Sequence, residues 1–365
     1  MLLPQPRGPL SAATFDRLRG GAGSVAALDV TTNAEQPDAT DLDATNTVED
    51  EDLQLTLWCL YELHYRGFDD VDSGLEWAPD LLELRRRIEI PFERDLRGMA
   101  EEHLTTVASQ TDDLAERLFG LAAALDGPPL SEHVQRRATR DQIRELLMLR
   151  SIYQLKEADP HSWAIPRLTG AAKAGLVELQ YDEYGDGRAD RMHQDLFAAA
   201  LRGAGLDDGY GAYVDRVPAA TLATSNAMSL FGLHRRLRGA AMGHLAAFEA
   251  SSSVPCRRYA AGIRRVDLPE EVARYFDEHV EADAVHEQLA ARGICTALVA
   301  EEPELEADVL LGAVTCLLLD ALTGERLLTA WQHDQHLIQP PPEPVSTAAG
   351  ACAPACPEPE LQGTP

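Results

Sequence analysis

Residues 276–287 read Phe276-Asp-Glu-His-Val-Glu-Ala-Asp-Ala-Val-His-Glu287. His279, Asp283 and His286 stand at i, i+4 and i+7, which at about 100° per residue puts them within a stripe ~60° wide on one helical face. Glu278, Glu281 and Glu287 fall elsewhere on the wheel, whereas Phe276, Val280 and Leu289 flank the stripe. Two imidazoles and a carboxylate framed by apolar side chains describe a helix that offers half of a metal site to an interior. The rest of the chain is therefore read for helices that could bring the other half.

Helical periodicity dominates. Leu53–Tyr65, a stretch opened by Pro79 and interrupted at Pro91, and a third from Asp113 to Leu125 precede the break at Gly127-Pro128-Pro129. Beyond it the pattern predicts helices near 131–158, 166–184, 190–203, 218–232, 235–252, 268–291 and 304–322, and alternating β-branched runs are nearly absent. The expected fold is all-α: a helical bundle at 130–337 with an accessory helical segment at 51–129 in front of it. Residues 1–50, acidic and weakly periodic, are expected to be a disordered arm, and the Pro/Ala-rich residues 338–365 a disordered tail.

Composition excludes several classes of partner. A formal charge of −28 argues against nucleic acid, because phosphate binding needs a concentrated positive surface. The short run His234, Arg235, Arg236 and Arg238 is the local exception and reads as a solvated helix face. No apolar run reaches the ~18 residues a membrane span requires, and the N-terminus lacks a secretory h-region, so the expected location is the cytoplasm. Cys59, Cys295 and Cys316 sit in apolar stretches and read as core residues, while Cys352 and Cys356 lie in the tail without a zinc-like partner.

The second half of the site is sought among carboxylates and histidines at helix ends. Glu157 is read as closing one helix and Glu183 another, and Gly185 and Gly187 stop the latter before His193 opens the next. A helix end, a glycine-permitted turn and a histidine just beyond it let Glu183 and His193 face one interior point. With His279, Asp283 and His286 this makes three carboxylates and three imidazoles, a set suited to two first-row divalent ions, iron or manganese.

Glu157, then Asp-Glu183-Tyr-Gly-x7-His193, then His279-x3-Asp283-x2-His286, in that order, resembles the haem-oxygenase-like diiron oxidases and oxygenases, the iron-containing redox enzymes. The resemblance implies a haem-oxygenase-like helical bundle across about 130–330, holding two Fe(II) ions with O2 as co-substrate. One iron would take Glu183, His193 and His279, the other Glu157, Asp283 and His286, with Glu183 able to bridge them. Glu249 occupies the place of a seventh carboxylate in some N-oxygenating members. Glu183 and Asp283 are the ligands given catalytic weight. The implied activity is oxidation of a small-molecule substrate, by N-oxygenation or by C–H or C–C chemistry, with electrons from an external donor. A homodimer is compatible with this reading. Tyr153, Tyr181 and Tyr184 are candidates for relaying electrons or protons, core packing being their plainer role.

Rival architectures fail on motif. A ferritin-like protein needs two Glu-x-x-His motifs, and no histidine here has Glu three residues before it. His64 reads as structural, His161 as a loop or cap residue, and His333 and His336 as surface residues. The alternative from another class is a non-catalytic helical interaction protein with a metal-free polar core, in which the segment at 50–130 mediates dimerisation.

Overall fold

The computed structural model describes residues 1–21, 23–28, 30, 46–107, 111 and 113–338, apart from the side chains of 106–107 and 281–284. Among the described residues there are fourteen α-helices and no strand. The first four are α1 (Pro9–Leu18), α2 (Glu51–Glu62), α3 (Pro79–Val107) and α4 (Leu114–Ala124). They are followed by α5 (Leu130–Arg136), α6 (Arg140–Gln154), α7 (Asp159–Ser162), α8 (Gly170–Glu183) and α9 (His193–Gly203). The last five are α10 (Ala219–Leu233), α11 (Arg238–Arg265), α12 (Glu270–Gln288), α13 (Ala297–Glu301) and α14 (Glu306–Gln332), with a π-helical stretch, Leu289–Thr296, continuing α12.

Local chemistry sets many of these boundaries. The Asp50 carboxylate accepts from the N–H groups of Asp52 and Leu53 and starts α2; Asp113 does the same for α4. Thr139 and Gln142 form a capping box that opens α6. That cap also splits the single helix expected over 131–158 into α5 and α6. In the other direction, α3 runs through Pro91, which does not interrupt it as expected, and α11 runs on through Pro255, past the expected end near 252. Buried residues next to each proline (Ile88 and Phe92 around Pro91; Cys256 and Tyr259 after Pro255) hold the helix together where propensity alone would break it.

The core is built around α11, which packs against α4, α5, α12 and α14. At its crossing with α14 the backbones touch: a Cβ on Gly243 would collide with the Val309 carbonyl, and one on Gly312 with that of Ala240. Only glycine permits that approach, and it lets the buried Ala240, Ala241, Ala246 and Ala247 lie flat against α14 and its neighbours. On α12 the buried positions Val272, Ala273, Phe276, His279 and His286 follow helical spacing, so the stripe quoted above faces the interior.

The first residues are not the unstructured arm their composition predicts. Leu3, Leu10, Phe15 and Leu18 are buried in the common core, and the Asp52 carboxylate accepts from the N–H groups of Leu10 and Ser11, tying α1 to α2. Acidic content misled because several of those acids are caps and ion-pair partners. Residues 31–45, and the tail from 339, lie outside the described residues. The segment at 51–129 shares one continuous apolar core with 130–337, α2 packing on α10 and α3 on α14. A buried ion pair also joins them: Lys156 Nζ lies 3.2 Å from Glu62 Oε2, both side chains at most 1% exposed. No helix among the described residues is long and apolar enough to cross a membrane.

Candidate metal centre

Two clusters of three potential ligands stand side by side in the bundle. Glu157, His193 and His279 form one, and Glu183, Glu249 and His286 the other; in each, the ligand atoms lie within 4.8 Å of one another and all three residues are buried. Glu157 sits in the turn between α6 and α7 rather than closing a helix, and its neighbour Lys156 anchors that turn to α2 through Glu62. Glu183 is the last residue of α8 and His193 the first of α9. Between them Gly185, Asp186 and Gly187 all adopt positive φ (69°, 56° and 76°). A Cβ on Gly185 would strike the backbone of Arg191 and Met192, so the return loop that aims His193 at Glu183 requires glycine there.

The atoms that face one another inside the site are close without being hydrogen-bonded. Glu183 Oε2 lies 2.9 Å from His193 Nδ1, yet neither atom has a hydrogen-bond partner of acceptable geometry. His286 Nδ1 lies 3.4 Å from both Glu183 Oε1 and Glu249 Oε2, again without a hydrogen bond. His279 Nε2 lies 3.4 Å from Glu157 Oε1. Lone pairs that converge on shared points instead of on each other's protons are what a set of cation ligands presents. Glu183, reaching both His193 and His286, spans the two clusters.

On His279, His286 and Glu157, by contrast, other polar atoms are hydrogen-bonded. His279 Nδ1 donates to the Tyr275 carbonyl at 2.8 Å, which leaves Nε2 as the lone-pair nitrogen facing Glu157. His286 Nε2 donates to Asp182 Oδ2 at 2.7 Å, which leaves Nδ1 to the cluster. The Tyr275 hydroxyl donates to the Glu157 carboxylate, 2.8 and 3.0 Å from its two oxygens.

Protons partly occupy the role of cations here. Burial disfavours the charged form of His286, but Glu249 and Glu183 outweigh it and raise its pKa to about 9. The same contest, with Glu183 as the carboxylate, raises His193. Burial pushes Glu157 up, yet the His279 and His193 imidazoles and the Tyr275 hydroxyl bring it below the usual carboxylate range. Glu249 is raised, chiefly by burial. Binding a divalent cation must release such protons.

The grouping differs from the one the resemblance implies: Glu157 and Glu183 exchange places, Glu157 joining His193 and His279 while Glu183 joins His286. Glu249 takes a full place beside them. The side chain of Asp283 lies outside the described residues. Tyr181 is exposed, and Tyr184 hydrogen-bonds Asp159 and Ser162 away from the clusters. His333 and His336 are exposed, as expected.

His161, set aside on sequence as a loop or cap residue, is 3% exposed and lines the small pocket bounded by Glu157, Glu183, Glu249 and His279. Its ring centroid lies 5.5 Å from that of the buried His244, and burial lowers its pKa to about 4, so it stands neutral beside the ligands. Asp182 was also missed: one residue before Glu183, it is about 100° away on the helix, and only its hydrogen bond from His286 in the fold shows its role. Tyr275 was legible, one turn before His279 on the same stripe.

Part of the chain is similar to known proteins. Residues 144–321 match the family described as iron-containing redox enzymes. The chain is 26% identical over 227 residues to a nitrosourea synthase of Streptomyces achromogenes subsp. streptozoticus, an alignment covering 61% of this chain and 48% of that protein. The chain thus spans about half the length of that curated relative. A crystal structure of a CADD-like protein of unknown function from Nostoc punctiforme superposes with a TM-score of 0.43 at 18% identity, covering 65% of this chain and 98% of that one. Residues 144–321, which include every ligand of both clusters, are thus similar to the iron-containing redox enzyme family.

Proposed function

We propose that the chain is an O2-dependent non-haem diiron oxidase or oxygenase that acts on a small organic molecule. The observation that carries this reading is the pair of buried clusters joined through Glu183, whose carboxylate lies 2.9 Å from His193 Nδ1 and 3.4 Å from His286 Nδ1. Glu157, His193 and His279 would hold one Fe(II), and Glu183, Glu249 and His286 the other. Asp283 is retained from the sequence pattern alone as a further ligand, and manganese is the alternative ion. Bound iron would supply the electrons and the site at which O2 is reduced, with a second pair of electrons drawn from an external donor.

The residues of the chain would do the rest. Tyr275 holds the Glu157 carboxylate and, through its carbonyl, the tautomer of His279. Asp182 does the equivalent for His286. The three glutamates together with Asp283 offset the +4 charge of two dications, and the three imidazoles complete the set without adding charge. His161, neutral at pH 7, can accept from or donate to a substrate N–H or O–H without adding charge beside the metals. Nitrosourea synthase is named for an N–N-bonded product, and Glu249 in the second cluster favours N-oxygenation over C–H chemistry here. Oxygen consumption by the Fe(II)-loaded chain tests the reading. Glu183→Ala should abolish it with helical content intact; full turnover in that variant removes Glu183 from the centre.

A further inference from the structure

A cavity of about 210 Å³ opens on the face where α6, α11 and α14 meet, lined among others by Arg150, Phe248, Ser251, Tyr259 and Asp320. A second, of about 70 Å³, shares Arg150, Phe248 and Asp320 with it and is otherwise walled mainly by Leu146, Leu149, Ile152 and Leu327. Tyr153 and Phe248 continue from there into the small pocket at Glu157, Glu183 and Glu249. Phe248 is thus a wall of all three spaces. Its ring packs edge-on against Tyr153 at 5.2 Å, closing the passage between the outer cavities and the ligands.

Arg150 stands at the junction of the two outer cavities with most of its hydrogen-bonding capacity unspent. Its carboxylate neighbour, Asp320, is 3.9 Å away and has a side chain 71% exposed, against 23% for Arg150. The Tyr259 hydroxyl lies 3.3 Å from Nη2, and Nε has no partner among the described residues. The other arginine of this cavity, Arg258, is held by Glu132 at 3.3 Å and by Ser131. A guanidinium has five N–H donors in a planar fork that matches a carboxylate, and a largely enclosed one gains most from such a partner. One cation in a chain of net charge −28 suits a monoanion better than a phosphate dianion.

We propose that Arg150 anchors a carboxylate subsite on the route to the metal centre, so that the substrate is an organic monocarboxylate. The inference rests on the diiron reading only for the destination of the substrate. Arg150, Tyr153 and Glu157 succeed one another along α6 and its closing turn, a rise of about 10 Å along the helix axis. A carboxylate seated on Arg150 would then direct the rest of its chain toward the ions, once Phe248 turns aside. The leucine-walled space beside this route suits an apolar connecting chain.

Calorimetric titration of the metal-free, full-length chain with octanoate, octan-1-ol and octylammonium tests this. The wild-type chain should bind octanoate at least tenfold more tightly than either of the others, against the repulsion of its own net charge. Arg150→Gln should weaken octanoate about tenfold to a hundredfold, the worth of a charge-assisted pair, and leave octan-1-ol unchanged. Asp320→Asn should bind octanoate as well as or better than wild type. Equal affinities for the three probes on the wild-type chain, or octanoate binding indifferent to Arg150→Gln, would overturn the subsite. Because no iron is present, failure here leaves the metal centre untouched, and failure to bind iron leaves the carboxylate preference measurable.

Discussion

Asp182 Oδ2 accepts a 2.7 Å hydrogen bond from His286 Nε2, so the residue before one ligand of the second cluster sets the tautomer of another. The carboxylate is 47% exposed, so removing it should not disturb the core. Asp182→Ala should weaken metal binding at the cluster of Glu183, Glu249 and His286 by about ten- to a hundredfold, the usual cost of losing such a partner. Binding at Glu157, His193 and His279 should be far less affected. Competitive Co(II) titration followed by visible spectroscopy would separate the two sites.

Lys156 and Glu62 tie the turn that carries Glu157 to α2. The ammonium also lies over the rings of Tyr65 and Trp58, and Tyr210 donates to Glu62 at 2.9 Å. Lys156→Met strands a buried carboxylate and should cost about 3–5 kcal/mol. Adding Glu62→Gln should restore part of that loss, as urea unfolding of the single and double variants will show.

The α11–α14 crossing holds the closest backbone approaches to any glycine among the described residues. Gly243→Ala should cost about 3 kcal/mol, the upper range for an inserted methyl group, because the collision is with backbone. The urea midpoint measures this, and a cost below 1 kcal/mol would mean that the two helices are not in such contact.

His161 gives a pH signature. Its pKa of about 4 lies below the ordinary 6.5, so between those values the unfolded chain binds a proton that the native chain does not. Stability contributed by its neutral burial is therefore present above pH 6.5 and is lost as pH falls toward 4. Between pH 7 and pH 5 the difference amounts to about 2 kcal/mol. His161→Leu should lose that much less stability than wild type over the same interval, measured by chemical denaturation at each pH.

The fold class was legible because α12 and its neighbours keep helical period with buried and exposed faces distinct. Boundaries were less so: Pro91 looks like a break in sequence, and packing carries α3 through it. The N-terminal residues carry so many acids that their composition hides α1, whose Leu10, Phe15 and Leu18 have partners only in three dimensions. At the centre, five residues of the motif order (Glu157, Glu183, His193, His279 and His286) stand together with Glu249, which the motif order does not contain. Which carboxylate shares which histidine was not legible, since that depends on how the Glu157 turn and the end of α8 cross above α12. Sequence spacing says nothing of such crossings, and the same holds for Asp182, Lys156 and His161.

The most direct test is the number of ions the chain holds. Anaerobic Fe(II) equilibrium dialysis of the full-length chain, with metal analysis of the protein fraction, should give two equivalents, falling to about one in His279→Ala and in His286→Ala and to none in Glu157→Ala combined with Glu183→Ala. Less than half an equivalent in the wild-type chain, or occupancy unaltered in all three variants, would contradict a diiron centre at these residues.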